Sequence, residues 1–311
     1  MSTTPPAKKK NQHYVWRYYL KAWASNGLIY CLEEGRVRSR SLRRVASAPE
    51  FYRLERLSTV DFELLERIVE SMAPQVHQLN LGWIETFRVP LKLINILERH
   101  PCRTSKDIEF IDTFHANFEE ELHSRIENSS VKHLNALRST DASFFTNDAE
   151  AADFLHFLAL QHFRTQEMEQ SVVAAFPATD RDQLRRIWTI LRHILATNVA
   201  GTIYLERTNW SLVFLENTTT RTFLSGDQPT LNTRGAEALP GQQVEELELY
   251  YPLLPRLAVL VTRATGLTGT TRTLRSEDIH GYNHLIVKAA HRQVFSDSRE
   301  HLEAVRDGLY S

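Results

Sequence analysis

The chain has 311 residues, 42% of them apolar, with 37 lysines and arginines against 38 aspartates and glutamates and a formal net charge of -1. That length and apolar content support one large domain or two ordinary ones with a full core. The charge balance excludes a generally basic nucleic-acid coat, and only two cysteines, Cys31 and Cys102, exclude a disulfide framework.

The cysteine usage fits a reducing, cytoplasmic setting. No run of about 18 uncharged apolar residues occurs, so no membrane segment is predicted. The polar start, Met1 to Lys10, lacks the apolar centre of a signal peptide. Net charge hides distribution, so a local patch for nucleic acid or a phosphate ligand stays open, and the partners stay unknown.

Residues 1–10, with Pro5-Pro6 and Lys8-Lys9-Lys10, read as a disordered leader. Asn26-Gly27 and Glu34-Gly35 are turn signals. They bracket a predicted hairpin of Leu28 to Leu32 with Arg36 to Arg38. Arginines 36, 38, 40, 43 and 44 would line its solvent face, where charge blocks edge-to-edge pairing; an anion site is the alternative.

Helices are predicted from about 58 to 205. Ser58 and Asp61 open the first, whose apolar stripe runs from Phe62 through Leu65, Ile68 and Val69. Pro74 kinks or shortens it. A second covers about 83–98. A third begins at Thr104, with Ile108, Ile111, Phe114, Phe118, Leu122 and Ile126 on one face. A fourth runs from Asn147 to Phe176, and a fifth starts at Thr179-Asp180. Strand candidates follow at Trp210 to Leu215, Thr222 to Leu224, Glu248 to Leu253 and Leu257 to Thr262. Thr268 to Thr273 reads as loop. A helix runs from Ser276 to about Gln293, and a short amphipathic helix covers Arg299 to Arg306. The fold class is α+β, with a mainly helical central block on a small antiparallel or mixed sheet built from N- and C-terminal segments. Residues 11–311 form a single domain on this reading, with a sub-boundary near 205 left open.

The nucleotide and hydrolase signatures Gly-x-x-x-x-Gly-Lys-Ser/Thr, Gly-x-Gly-x-x-Gly, Gly-x-Ser-x-Gly and His-Glu-x-x-His are absent from the sequence. Other residues carry the candidate chemistry. Asp227 follows an apolar strand in Ser225-Gly226-Asp227-Gln228-Pro229, where a carboxylate can bind a metal or act as base, or close an Asx-turn. His13 lies among Tyr14, Trp16, Tyr18 and Tyr19 and can move a proton near neutral pH, or pin the segment to the core. Arg17 and Arg164 can clamp phosphate with their planar forks, or pair with Glu66 or Glu70. His115, Glu119 and His123 fall at four-residue steps, as metal ligands do, but the neighbouring Glu120 and Glu121 favour a solvated face. His280 and His284 read as structural.

Several motifs resemble, in order, the bacterial family known as domain of unknown function 4238. The first is His13-Tyr14-Val15-Trp16-Arg17-Tyr18-Tyr19-Leu20, similar to the family's opening aromatic element except for Trp16-Arg17 in place of Pro-Gln. Phe51-Tyr52, the acidic helix with Glu63, Glu66 and Glu70, and Arg164-Thr165 follow. Phe223 to Pro229, Pro252 to Arg256, and Asn283 with Val294-Phe295-Ser296 complete the series. The resemblance implies a family without an established activity. Two expectations follow from the residues. One is a hydrolase of the phosphodiesterase or nuclease type, with His13, Arg164 and Asp227 converging as catalytic groups, Arg17, Glu66 and Asn283 in binding roles, and a divalent metal as an optional cofactor. The other is a non-catalytic binding or regulatory module in bacterial stress or phage defence.

Overall fold

The computed structural model describes residues 7–235, 244 and 246–310. In chain order the N-terminal part holds β1 (Asn11–His13), α1 (Arg17–Leu20), β2 (Leu28–Glu33), β3 (Arg36–Ser41) and β4 (Ser47–Pro49). The helical block is α2 (Thr59–Glu70), α3 (His77–Arg99), α4 (Ser105–Arg138), α5 (Asp148–Phe163), α6 (Gln166–Ala174) and α7 (Arg181–Leu205). The C-terminal part holds β5 (Ser211–Asn217), β6 (Ser225–Gly226), β7 (Leu231–Asn232), β8 (Leu249–Leu254), β9 (Leu257–Thr262), β10 (Thr271–Leu274), α8 (Ser276–Ala289), β11 (Gln293–Ser296) and α9 (Arg299–Arg306). The α+β class is as expected.

Among the described residues, an antiparallel sheet has the order β3-β2-β11-β6, so the N-terminal hairpin pairs with C-terminal strands. A mixed sheet has the order β10-β5-β9-β8-β7, and only β10 on β5 runs parallel. A further pair joins β1 to β4. Asn26-Gly27 and Glu34-Gly35 turn as expected, all four at positive φ. Arg36, Arg38, Arg43 and Arg44 are exposed, and β3 is an edge strand.

Helix starts were legible. Ser58 and Thr104 cap α2 and α4, each in a reciprocal capping box with an aspartate three residues on, Asp61 and Asp107. Three expectations are corrected. The predicted helix 147–176 breaks at Arg164-Thr165, because the Thr165 hydroxyl accepts from the Met168 N–H and caps a new helix. Residues 271–274, largely within the expected loop Thr268 to Thr273, add a strand to β5, and the helix expected to reach about Gln293 ends at Ala289, with 293–296 forming β11. Both sit where tertiary pairing supplies the hydrogen bonds that local pattern does not announce. Of the predicted leader, 1–6 lie outside the described residues. Residues 7–10 are held in place: Lys8 pairs with Glu50 at 2.5 Å and Asp112 at 2.8 Å, and the Lys9 N–H donates to Asn117 at 2.9 Å.

The main core joins the opening aromatic motif to α5 and the mixed sheet. Tyr14, Tyr19, Trp23, Phe154, Phe157, Phe214 and Tyr251 belong to it. Tyr19 stacks on Tyr251 with centroids 4.8 Å apart, and its hydroxyl meets Ser225 at 2.9 Å. The Trp23 indole donates to the Phe223 carbonyl at 2.9 Å. No helix among the described residues is long and apolar enough to cross a membrane.

Candidate functional site

The expectation for α4 is reversed by the structure. Its predicted apolar stripe is only half-covered, with Ile108 exposed, whereas the face carrying His115, Glu119, His123 and Glu127 is buried. The cause is a clasp from both sides. The β1 and β4 region covers one flank, with the Gln12 side chain donating to the Ala116 carbonyl and the Leu54 N–H to the His115 carbonyl. Helices α3 and α5 cover the other, and α7 reaches it through Arg192 and His193. Polar side chains at these positions must therefore find partners inside the protein.

Arg164, at the end of α5, is 1% exposed and fully engaged. Its Nε donates to the Tyr14 carbonyl at 2.9 Å, Nη2 to the His13 carbonyl at 2.8 Å, and Nη1 to Glu127 at 2.7 Å. The ion-pair partner is Glu127, not Glu66 or Glu70. Burial pushes the Glu127 carboxyl up while the guanidinium pulls it down. Glu66 pairs instead with Arg88 on α3.

Asp227 closes a different junction. Its two oxygens accept from the His291, Arg292 and Gln293 N–H groups at 2.8, 2.8 and 3.0 Å, shaping the entry to β11. Burial raises its carboxyl to about 6 against these three amides. Gly226 lies in β6 rather than in a turn. A Cβ there would stand 3.3 Å from the Gln293 carbonyl oxygen, so a side chain would press on the strand pairing by a few tenths of an ångström. Asn283 is likewise spent internally: its Oδ1 accepts from Leu224 N–H at 2.8 Å, and its Nδ2 donates to the Thr222 carbonyl at 2.9 Å. His284 and His280 pack on the C-terminal Tyr310, as structural residues do. Asp227→Ala is expected to destabilise the protein by about 3 kcal/mol, because buried N–H groups lose a charged acceptor. Chemical denaturation checks this; an unchanged midpoint would contradict an architectural Asp227.

His13, Arg164 and Asp227 are thus not presented together to one cleft. His13 and Arg17 do share one: a polar groove of about 910 Å³ between α4, α1 and the β2–β3 hairpin. Four cations line it, Lys9, Arg17, Lys21 and Arg43, together with Trp16, Tyr18, His13, Glu120 and Glu127. Trp16 and Tyr18 lie with centroids 4.9 Å apart. The His13 Nε2 donates to the Leu42 carbonyl at 3.1 Å, since a carbonyl can only accept; this leaves Nδ1 as an acceptor. Burial holds the imidazole down at about 4, so it is neutral at physiological pH. Burial lifts the neighbouring Glu120 carboxyl to about 7. Sequence reading passed over Glu120 because it sits between Glu119 and Glu121 as in a solvated run, and over Glu127 because no local motif marks it.

Beneath this groove lies a second polar group. His123 Nε2 is 3.2 Å from Glu119 Oε1, and His193 Nε2 of α7 is 3.6 Å from the same oxygen. Arg192 Nε also reaches it at 3.2 Å. Burial pushes the Glu119 carboxyl up, but Arg192 and the two imidazoles more than offset this and hold it below its usual range. Burial keeps both histidines neutral. His115 is not a member: its Nδ1 donates to the Leu54 carbonyl at 3.0 Å. Helical spacing found Glu119 and His123, but only the packing of α7 on α4 supplies His193.

The motifs that stand in order along the sequence are fixings between segments: His13-Tyr14 to Arg164, Trp23 to Phe223, Asp227 to the strand containing Val294-Phe295-Ser296, and Asn283 to Leu224. No curated protein and no solved structure matches the chain. A family model described as "Protein of unknown function (DUF4238)" matches residues 11–300, and the chain belongs to that family.

Proposed function

We propose that the groove over α4 binds a phosphate-bearing ligand with an aromatic base, and that the chain is a cytoplasmic hydrolase of the phosphodiesterase class. The carrying observation is the gathering of Lys9, Arg17, Lys21 and Arg43 around Trp16 and Tyr18 in a chain of balanced charge. Cations neutralise phosphate oxygens, and aromatic faces stack on bases. Glu120 and His13 are the wall groups that can take and return a proton. The exposed Arg17 is the residue that would face developing negative charge.

A short fluorescein-labelled single strand and bis(p-nitrophenyl) phosphate are the probes. The double substitution Arg17→Ala with Lys21→Ala is expected to weaken strand binding and to lower the dependence of log affinity on log salt by about 1.4, roughly 0.7 for each lost cation on a single strand. Trp16→Ala is expected to cost roughly tenfold in affinity through lost stacking. Glu120→Gln is expected to lower turnover by about 100-fold with binding retained. Affinity indifferent to Arg17 and Lys21 would remove the groove as the site. Binding without turnover in the wild type would leave the regulatory module in place of the hydrolase.

A further inference from the structure

The buried group under the groove has the composition and spacing of a metal centre. Glu119 Oε1, His123 Nε2 and a ring nitrogen of His193 lie within 4.8 Å of one another. The two separations from Glu119, 3.2 and 3.6 Å, bracket the edge of about 3.4 Å expected for a tetrahedron with zinc–nitrogen distances near 2.0–2.1 Å. A second observation concerns polar atoms without partners. His193 is completely buried, yet neither ring nitrogen has a hydrogen-bond partner, and Glu119 Oε2 has none either. Buried polar atoms left this way forfeit the hydrogen bonds they made to water. A cation between the three side chains would take Glu119 Oε1 and one nitrogen from each histidine as three tetrahedral donors, with Glu119 Oε2 beside the fourth position.

The geometry points to a closed divalent-metal site of the zinc class, formed by Glu119, His123 and His193, that ties α4 to α7. It goes beyond the groove reading and does not depend on it. Two imidazoles and one carboxylate suit zinc and other first-row divalent ions rather than magnesium or calcium. All three ligands are buried, as in a structural rather than an open catalytic centre. The ring of His193 is clamped between Trp83 and His123, with centroids 4.5 and 5.2 Å away, so its plane is set before a metal arrives. Arg192 competes for Glu119 and is displaced from Oε1 on loading. It keeps its place over the Phe51 and Tyr52 rings, at 5.9 and 5.4 Å, and within the field of Glu169.

The full chain, purified metal-free, is titrated with Co²⁺ and followed by visible absorption and by calorimetry. One equivalent is expected to bind, with the intense bands of four-coordinate cobalt, and Zn²⁺ is expected to displace it and raise the melting temperature. Glu119→Gln and His193→Ala are each expected to weaken binding by at least about 100-fold, the upper end of what even a supporting residue costs. His115→Ala, one turn away on the same helix, is expected to bind as the wild type does. Arg192→Met is expected to bind more tightly, because the competing cation is gone. Absence of uptake by the wild type overturns the proposal even if the ligand variants do not fold. Uptake equally strong in Glu119→Gln and His193→Ala overturns it too, by placing the metal elsewhere.

Discussion

Arg164→Met is expected to destabilise the protein by about 4 kcal/mol, within the range for breaking a buried ion pair. For a chain of this length that corresponds to a fall of roughly 6 °C in melting temperature. The substitution removes three hydrogen bonds at once, leaves Glu127 and the Tyr14 carbonyl without this donor, and leaves the His13 carbonyl with the Tyr52 hydroxyl in its place. It also unfastens the opening segment from the end of α5, so His13 and Arg17 lose their footing in the groove. A second substitution sharpens the expectation. Glu127→Leu added to Arg164→Met is expected to recover more than half of the loss, because a buried pair replaced by apolar groups is often close to neutral. Thermal melts of the two variants beside the wild type decide the matter. A single variant that melts normally but loses groove-dependent activity would restore Arg164 as a catalytic group.

Acid is the second strong lever. Burial lowers His13 and His156 to about 4, and lowers His115, His133, His162 and His301 in the same direction. For each, the unfolded chain binds a proton near pH 6.5 that the folded chain refuses. Their contribution to stability is therefore complete above about pH 6.5 and is lost as the pH falls toward 4. Asp227, Glu120, Glu127 and Glu169 are raised by burial and act oppositely, favouring the folded state as the pH falls. Burial lowers His123 and His193 as well, so eight histidines stand against four raised carboxyls, and each differing group changes stability by at most about 1.4 kcal/mol per pH unit. A net loss of stability between pH 6.5 and 5.5 is expected from denaturation midpoints in matched buffers. A flat profile across that unit would show that the histidines are hydrated in solution. His156→Gln is expected to flatten the profile by about one group's share.

Much of the architecture could be read before any coordinates. The capping boxes at Ser58 and Thr104, the Asn-Gly and Glu-Gly turns, and the continuous apolar run from Leu257 to Val261 are signals written in the local sequence. The pairing of the N-terminal hairpin with C-terminal strands was also foreseen in outline. The strands at 271–274 and 293–296 were not, since their partners are contributed from elsewhere in the chain, whereas the Thr165 cap at the helix break is a local signal that sequence reading passed over.

The functional residues divide along the same line. The sequence by itself determined residue type and helical phase: it singled out His13, Arg17, Arg164 and Asp227 as polar groups inside apolar motifs, and placed Glu119 and His123 on one face of α4. Only the tertiary structure decided what each does. It spent Arg164 on two carbonyls and Glu127, spent Asp227 on three amides, and buried the face of α4 that its acidic neighbours mark as solvated. It also brought His193 to Glu119 across 74 positions of sequence, from residue 119 to 193. The physical reason is that a side chain's chemistry depends on whether water or a fixed partner satisfies it. That is settled by which elements pack over it, and a one-dimensional pattern records the helix's own phase but not the face of its neighbour.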